Sequence, residues 1–295
     1  MPARDVALAV LVAAIWGFTF VTTRIALDEF SPPQLAALRF LVAASPIVVL
    51  ARPAVPWAVL LPIGLTLYTG QFLFQFFGIA SGMPPGLASV VVQTQAFFTV
   101  LLATLALGER ASPRQLAGLG LAGVGLLAIG ATVGQGLTGI GLGLTLVSAV
   151  SWAVGNVLLK RVGPVDILPL VVWLSVIPPL PSLALSMVLD GPGDLVRALR
   201  GASPLGLACV LHLGLVATVL AYAIWAGLLR RHPAATVAPF ALLAPFVGAG
   251  ASALVFGERF GAVRLAGMAL VLLGLAATVL PASPAPRIAR STRAR

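Results

Sequence analysis

Gly108-Glu109-Arg110, followed by Leu116-Ala117-Gly118, returns 149 residues later as Gly257-Glu258-Arg259 followed by Leu265-Ala266-Gly267. The internal spacing is the same in both copies, and almost everything around them is apolar. A membrane segment duplicated within one chain is the ground plan of a transporter whose substrate site lies where the two halves meet. A second pair of matches works outward from the first: Trp16 and Arg24 return as Trp152 and Lys160 at an offset of 136. One insertion of 13 residues, in the seventh apolar segment and the loop around 190–203, accounts for both offsets.

Composition points to the same solvent. The 295 residues are 60% hydrophobic and only 9% charged, against about 25% charged in soluble domains. A water-soluble fold of this size cannot hide so much apolar surface, so part of its solvent is lipid. The net charge of +10 sits at segment ends and in the C-terminal tail, where cations fix orientation and meet anionic lipid. Nucleic-acid binding is excluded, because stacking platforms and a continuous basic stripe are both missing. One cysteine, Cys209, and two histidines, His212 and His232, form no metal-ligand spacing and no internal disulfide. The N-terminal apolar run reaches Arg24 without a clear cleavage site, so it reads as an uncleaved first helix.

Breaks marked by Pro, Gly and charge divide the chain into ten segments, each near the ~20 residues that cross a bilayer. They run over 5–27, 34–51, 57–80, 86–107, 113–133, 137–159, 166–189, 203–229, 234–256 and 262–281. Ser31-Pro32-Pro33, Ser112-Pro113 and Ser203-Pro204 each place a capping hydroxyl before a first-turn proline. With the N-terminus in the cytoplasm, twelve Lys and Arg fall inside and five outside, which obeys the positive-inside rule. Both termini are then cytoplasmic. Five spans per half is odd, so the halves are inverted: 1–136 is the first five-helix repeat and 137–281 the second. The tail 282–295, rich in Pro, Ser and Arg, is expected to be disordered.

Polar groups at membrane depth carry the functional reading, with helix–helix hydrogen bonding as the competing one. Gln71 and Gln75 lie four apart and share a face of the third segment. Gln93 and Gln95 sit mid-helix in the fourth, two apart, so at most one of them is expected to face a central cavity squarely. Pro239 and Pro245 in the ninth lack N–H groups and free carbonyls that can accept from a substrate ammonium. The matching fourth-segment positions, Val90 and Ala96, are not proline, so the halves are not equivalent there. Trp16, Trp152, Phe72 and Tyr222 would give the cavity aromatic walls, and Asn156, one turn after Trp152, a side-chain donor. Gly118 and Gly125 share a helical face, as do Gly267 and Gly274, and read as close-packing positions. Arg39, one and a half turns inside the second segment, reads as structural, either snorkelling or holding a neighbouring carbonyl. No carboxylate lies at mid depth, so strong proton coupling is not expected and the substrate is expected to carry little net charge.

Trp16, Trp152, Leu38-Arg39-Phe40, the two Gly-Glu-Arg elements and the Leu-Ala-Gly openings of the fifth and tenth segments together resemble the EamA-type branch of the drug/metabolite transporter superfamily. Within it, the chain looks most like the YddG-type amino-acid exporters. The resemblance covers about residues 5–281. It implies an all-α integral membrane fold of ten transmembrane helices as two inverted repeats, in the bacterial inner membrane, exporting small metabolites. The substrate class this implies is neutral or aromatic amino acids; a drug, nucleoside or other metabolite is the alternative. No cofactor or metal is implied. An intramembrane enzyme would need paired carboxylates or a nucleophile–base couple at depth, and a channel a continuous polar stripe; the sequence offers neither. Both halves of the site lie in one chain, so a monomer is expected.

Overall fold

The computed structural model describes residues 1–279. The basic tail 282–295 and the end of the expected tenth segment, 280–281, lie outside the described residues. Ten principal helices follow the sequence in order: α1 (Ala3–Ala26), α2 (Pro32–Val48), α3 (Trp57–Ala80), α4 (Pro85–Leu107), α5 (Pro113–Gly130), α6 (Gly139–Lys160), α7 (Ile167–Leu189), α8 (Pro204–Arg231), α9 (Ala234–Phe256) and α10 (Ala262–Val279). Among the described residues there are no strands. Eight of the ten helices are long and apolar enough to cross a bilayer. The two others differ for local reasons. Pro46 tightens the end of α2 into a 3₁₀ turn at Ser45–Val48, leaving a helix of 17 residues. In α5 the first turn carries Arg114 and Gln115, which dilutes its apolar character.

The helix starts obey the capping chemistry. Ser31 and Ser112 accept from the amides of Gln34 and Gln115, whose side chains reach back to the cap amides in capping boxes. Ser203 accepts from Gly206 N. The insertion in the second half forms a short helix, Asp194–Gly201, entered through Gly191 and Gly193, both at positive φ. It docks on the α1–α2 corner, where Gln34 Nε2 donates to Asp194 at 3.0 Å, and Ser31 Oγ donates to Asp190 at 2.6 Å. Arg197 and Gln34 together hold the Asp194 carboxyl below the usual range.

The most extensive helix–helix seam joins α5 to α10. A Cβ added to Gly118 would lie 2.8 Å from the carbonyl oxygen of Gly274, and one on Gly125 would lie 2.6 Å from that of Gly267. The reverse contacts, Gly267 on Gly125 and Gly274 on Gly118, are as close, at 2.7 and 2.5 Å. The two helices therefore run antiparallel with backbone against backbone, as small residues at seven-residue spacing allow. Leu105, Leu127, Leu180 and Leu254 stand 74–88% exposed on the outside of the bundle, a surface suited to lipid tails rather than water.

Candidate functional site: a central cavity

Four helices lose regular α geometry at the centre of the bundle. α3 widens to π-helix at Leu65–Gly70, and α8 does so at His212–Leu220. In each a threonine hydroxyl caps the carbonyl five residues back: Thr69 to Gly64 at 3.3 Å, Thr218 to Leu213 at 2.8 Å. α4 tightens to 3₁₀ at Val92–Thr94, and α9 breaks between Ala241 and Ala244. Thr69 and Thr218 are 149 residues apart, and so are the interruptions of α4 and α9. Irregular backbone at this depth is tolerated where it faces protein or a wet cavity, and π-stretches concentrate at functional sites.

A cavity of about 340 Å³ lies at these interruptions, within the usual ~300–1,000 Å³ of small-molecule sites. Eight of the eleven expected residues line it: Trp16, Gln71, Phe72, Gln75, Gln93, Gln95, Trp152 and Tyr222. Gln71 Nε2 donates to Gln75 Oε1 at 2.9 Å, and both side chains are nearly fully buried. Trp16 packs against Tyr222 and Trp225 with ring centroids 5.3 and 5.1 Å apart, while its indole N–H donates to Ala217 O at 3.1 Å. Phe40 stacks on Tyr68 at 5.1 Å and meets Phe72 edge-on at 5.2 Å.

Gln93 and Gln95 both reach the cavity, against the expectation that only one would. The 3₁₀ turn is the reason. Residues two apart are separated by about 160° around an α-helix but by about 120° around a 3₁₀-helix, so both can turn toward the same space.

Three expected residues are not in the lining. Asn156 stands behind Gln95, with Nδ2 donating to Gln95 Oε1 at 3.1 Å and to Thr99 Oγ1 at 3.3 Å. It is a positioning residue for Gln95 rather than a direct donor. The Pro245 carbonyl accepts from Ser89 Oγ at 3.1 Å and is spent on helix packing. The effect of Pro245 falls four residues earlier: without its N–H, the carbonyl of Ala241 loses its helical donor, and Ala241 lines the cavity. Pro239 lies inside the first half of α9, with its carbonyl accepting from Leu242 N at 3.1 Å. Replacing Asn156 by alanine is expected to free Gln95 and weaken substrate binding by about three- to tenfold. Saturation kinetics should register this as a raised KM with little change in melting temperature.

The sequence reading of Arg39 is corrected. Arg39 neither snorkels outward nor binds a carbonyl; it is 6% exposed and lines the cavity. Its Nη2 donates to Thr218 Oγ1 at 3.3 Å, and its guanidinium lies 4.0 Å from the ring centre of Phe72. In the described lining it is the one charged side chain. The signal was a full charge inside an apolar helix. Tyr68 and Trp225 were also missed. Tyr68 falls on the Gln71/Phe72/Gln75 face at helical spacing of three, four and seven, and Trp225 lies three after Tyr222.

Membrane-grade helices here enclose an amide- and aromatic-lined cavity at mid-helix, and the family that the chain matches is one of transporters, not enzymes. The chain belongs to the EamA-like transporter family, whose model matches residues 4–131 and again 139–280. It is 41% identical over 282 residues to a probable amino-acid metabolite efflux pump of Salmonella typhimurium, spanning 93% of this chain and 94% of that protein. The protein of the same description in Escherichia coli strain K12 is 40% identical with the same coverage. An uncharacterized inner membrane transporter of Escherichia coli, YedA, is 26% identical over 287 residues, 92% of this chain and 90% of that one. The protein is thus placed in the bacterial inner membrane. A solved crystal structure at 20% identity, covering 94% of this chain and 96% of its own, superposes with a TM-score of 0.60, which speaks to the fold alone.

Proposed function

We propose that this protein exports small amphipathic metabolites, neutral and aromatic amino acids foremost, by alternating access of two inverted five-helix halves, 1–136 and 137–281. The observation that carries the substrate class is the cavity, which sets amide pairs and freed backbone beside aromatic walls in a volume suited to a small molecule. Amides and carbonyls suit a zwitterion's polar end, and the Trp16–Tyr222–Trp225 wall suits an apolar or aromatic side chain. The description of the Salmonella and Escherichia relatives as probable amino-acid metabolite efflux pumps supports the same class.

Three observations support the inverted halves and ten spans. Gly118 meets Gly274, the repeat mate of Gly125, and Gly125 meets Gly267, the repeat mate of Gly118, as a two-fold axis between α5 and α10 requires. The π-stretches of α3 and α8 and the interruptions of α4 and α9 fall at matched positions. The cation bias favours a cytoplasmic side for both termini.

The halves differ in one way that sets the direction of access. α4 is buried throughout its first turns, Pro85–Val91. There Ser89 sits under Gly248 of α9, and Glu258 accepts from Gly86 N at 3.2 Å and from Ser252 Oγ at 2.7 Å. At the repeat-matched end, the first turn of α9 is exposed at 234–236, and Glu109 binds Lys160 at 2.8 Å instead of a helix terminus. The cavity is sealed on the Glu258 side, which is the outer side under the positive-inside orientation, and this conformation faces the cytoplasm.

The test is uptake of a labelled amino-acid panel into proteoliposomes of purified protein, with and without a pH gradient. Saturable uptake of neutral, mainly apolar or aromatic amino acids without a gradient is expected. No uptake of any amino acid would sink the substrate assignment.

A further inference from the structure

Two arginines are buried among the described residues, both 6% exposed, and they are bound in opposite ways. Arg264, at the start of α10, donates from Nε to Thr132 Oγ1 at 3.2 Å and from Nη2 to the carbonyls of Gln135 at 2.9 Å and Thr132 at 3.5 Å. That is an arginine used to tie a loop. Among the described residues Arg39 has a single hydrogen bond, the long one to Thr218, and its buried Nε has no partner. The Thr218 hydroxyl already donates to Leu213 O, so it is held with its lone pairs toward the guanidinium. Phe72 and Phe40 cover the cation with ring faces, and no carboxylate lines the cavity among the described residues.

A desolvated guanidinium with free donors is costly unless an anion completes it. Its planar fork matches a carboxylate in two parallel bonds. Arg39 lines the same cavity as Gln71, Gln75 and the Trp16–Tyr222 wall. We propose that Arg39 is the anchor for a substrate carboxylate, and that the protein carries molecules with a free carboxylate and rejects their amides, esters and decarboxylated amines. This rests on the transport reading above and sharpens it. The substrate's negative end is recognised by charge, and its ammonium, where it has one, only by neutral acceptors such as the Ala241 carbonyl and the glutamine oxygens. An N-acylated amino acid, carrying a net negative charge, is then accepted alongside the zwitterion.

Four probes in proteoliposomes of the full-length chain separate the parts of this proposal: phenylalanine, N-acetylphenylalanine, phenylalaninamide and phenethylamine. In wild-type protein the two acids are expected to be taken up saturably, and the amide and amine at least about tenfold less well. Arg39→Gln is expected to lose about ten- to a hundredfold on both acids while leaving the amide and amine where they were, so that the ratio collapses toward one. Arg39→Lys, a point charge without the fork, falls between. A merely structural Arg39 would lower all four probes together. A folded Arg39→Gln protein that does so, or that keeps the wild-type ratio, overturns the anchor. Should Arg39→Gln fail to fold, Arg39→Lys and Thr218→Val read the same ratio. Equal uptake of phenylalanine and its amide by wild-type protein overturns the anchor and leaves amino-acid transport standing. Arg39-dependent uptake of N-acetylphenylalanine alone does the reverse. Wild-type protein that carries neither acid overturns both.

Discussion

Gly125→Leu is expected to abolish recovery of folded protein, while Gly123→Leu, two residues away on the same helix, leaves the protein intact. The contrast follows from what each side chain would meet. A Cβ at Gly125 would lie 2.6 Å from Gly267 O and 2.9 Å from both Val271 N and its Cγ2 atom. Two of these atoms are backbone, which no rotamer change moves aside. At Gly123 nothing lies within 4 Å, and a leucine there extends toward the lipid face. Overpacking a closed seam typically costs about 1–3 kcal/mol where side chains can yield. Here α5 and α10 would have to separate, so the upper end is the floor. A loss of ~3 kcal/mol lowers the melting temperature by roughly 10 °C in a chain of this size. Gly125→Ala is the graded case, because its single methyl already falls inside the contact distance. Thermal melting and monodispersity in detergent, compared across the three variants, check this. A Gly125→Leu protein that melts within a degree or two of Gly123→Leu would mean that α5 and α10 do not meet at these glycines.

That seam was legible from sequence because it depends on one local property, a missing side chain, repeated at a spacing that returns to one helical face. The helix starts at Ser31, Ser112 and Ser203 were legible for a similar reason: a hydroxyl before a proline, with a glutamine three residues on in the first two, is local chemistry. Six of the eight cavity residues, Trp16, Trp152, Gln71, Gln75, Gln93 and Gln95, could be found because amides and tryptophans in an apolar helix have few other uses. What could not be read depends on helical phase. The 3₁₀ turn at Val92–Thr94 and the π-stretches in α3 and α8 rotate everything beyond them, and no proline or glycine pattern announces all three. The Gln93/Gln95 pair was misjudged on that account, since a face inferred at 100° per residue is wrong across an irregular turn. Asn156 lies in the unbroken α6 and was misjudged because the sequence does not say that Gln95 and Thr99 take its amide. Arg39 was different. Its position was visible, but deciding between snorkelling and pointing inward needs to know what lies on each side of α2. The sequence does not say that Thr218 and Phe72 stand there.

Glu258→Ala is expected to open the outer seal and cut transport by about ten- to a hundredfold. The carboxylate answers two donors at once, Gly86 N in the first turn of α4 and Ser252 Oγ, and removing it leaves a buried helix-terminal N–H without an acceptor. Ser89→Cys, made in a Cys209→Ser background, reports on the seal, because position 89 is fully buried beneath Gly248. With Glu258 in place the introduced thiol should resist a membrane-impermeant reagent added outside. With alanine it should react at least about tenfold faster. Burial pushes the Glu258 carboxyl up, against the lowering effects of Ser252, Gly86 and Arg264. A carboxyl that titrates higher when sealed than when exposed holds its proton more tightly in the sealed form. Protonation therefore favours the seal, which weakens as pH rises through the raised value. Labelling of the introduced thiol should slow as pH falls from neutral toward the carboxylate range, and Glu258→Gln, which keeps an acceptor for Gly86 N, should stay sealed and lose that dependence. The repeat extends the argument to the other half of the cycle. Glu109 is the mate of Glu258, and Lys160, which it binds here, is the mate of Arg24, which here holds Asp28. In the outward-facing state Glu109 would cap the exposed amides of α9 at 235–236, and Glu258 would release Gly86 for Arg24. Arg24→Ala should then slow transport by about two- to fivefold, the scale of an exposed ion pair, without changing protection of the position-89 thiol in the sealed state. Faster labelling of that thiol in Arg24→Ala would place Arg24 in the seal itself and end the exchange scheme.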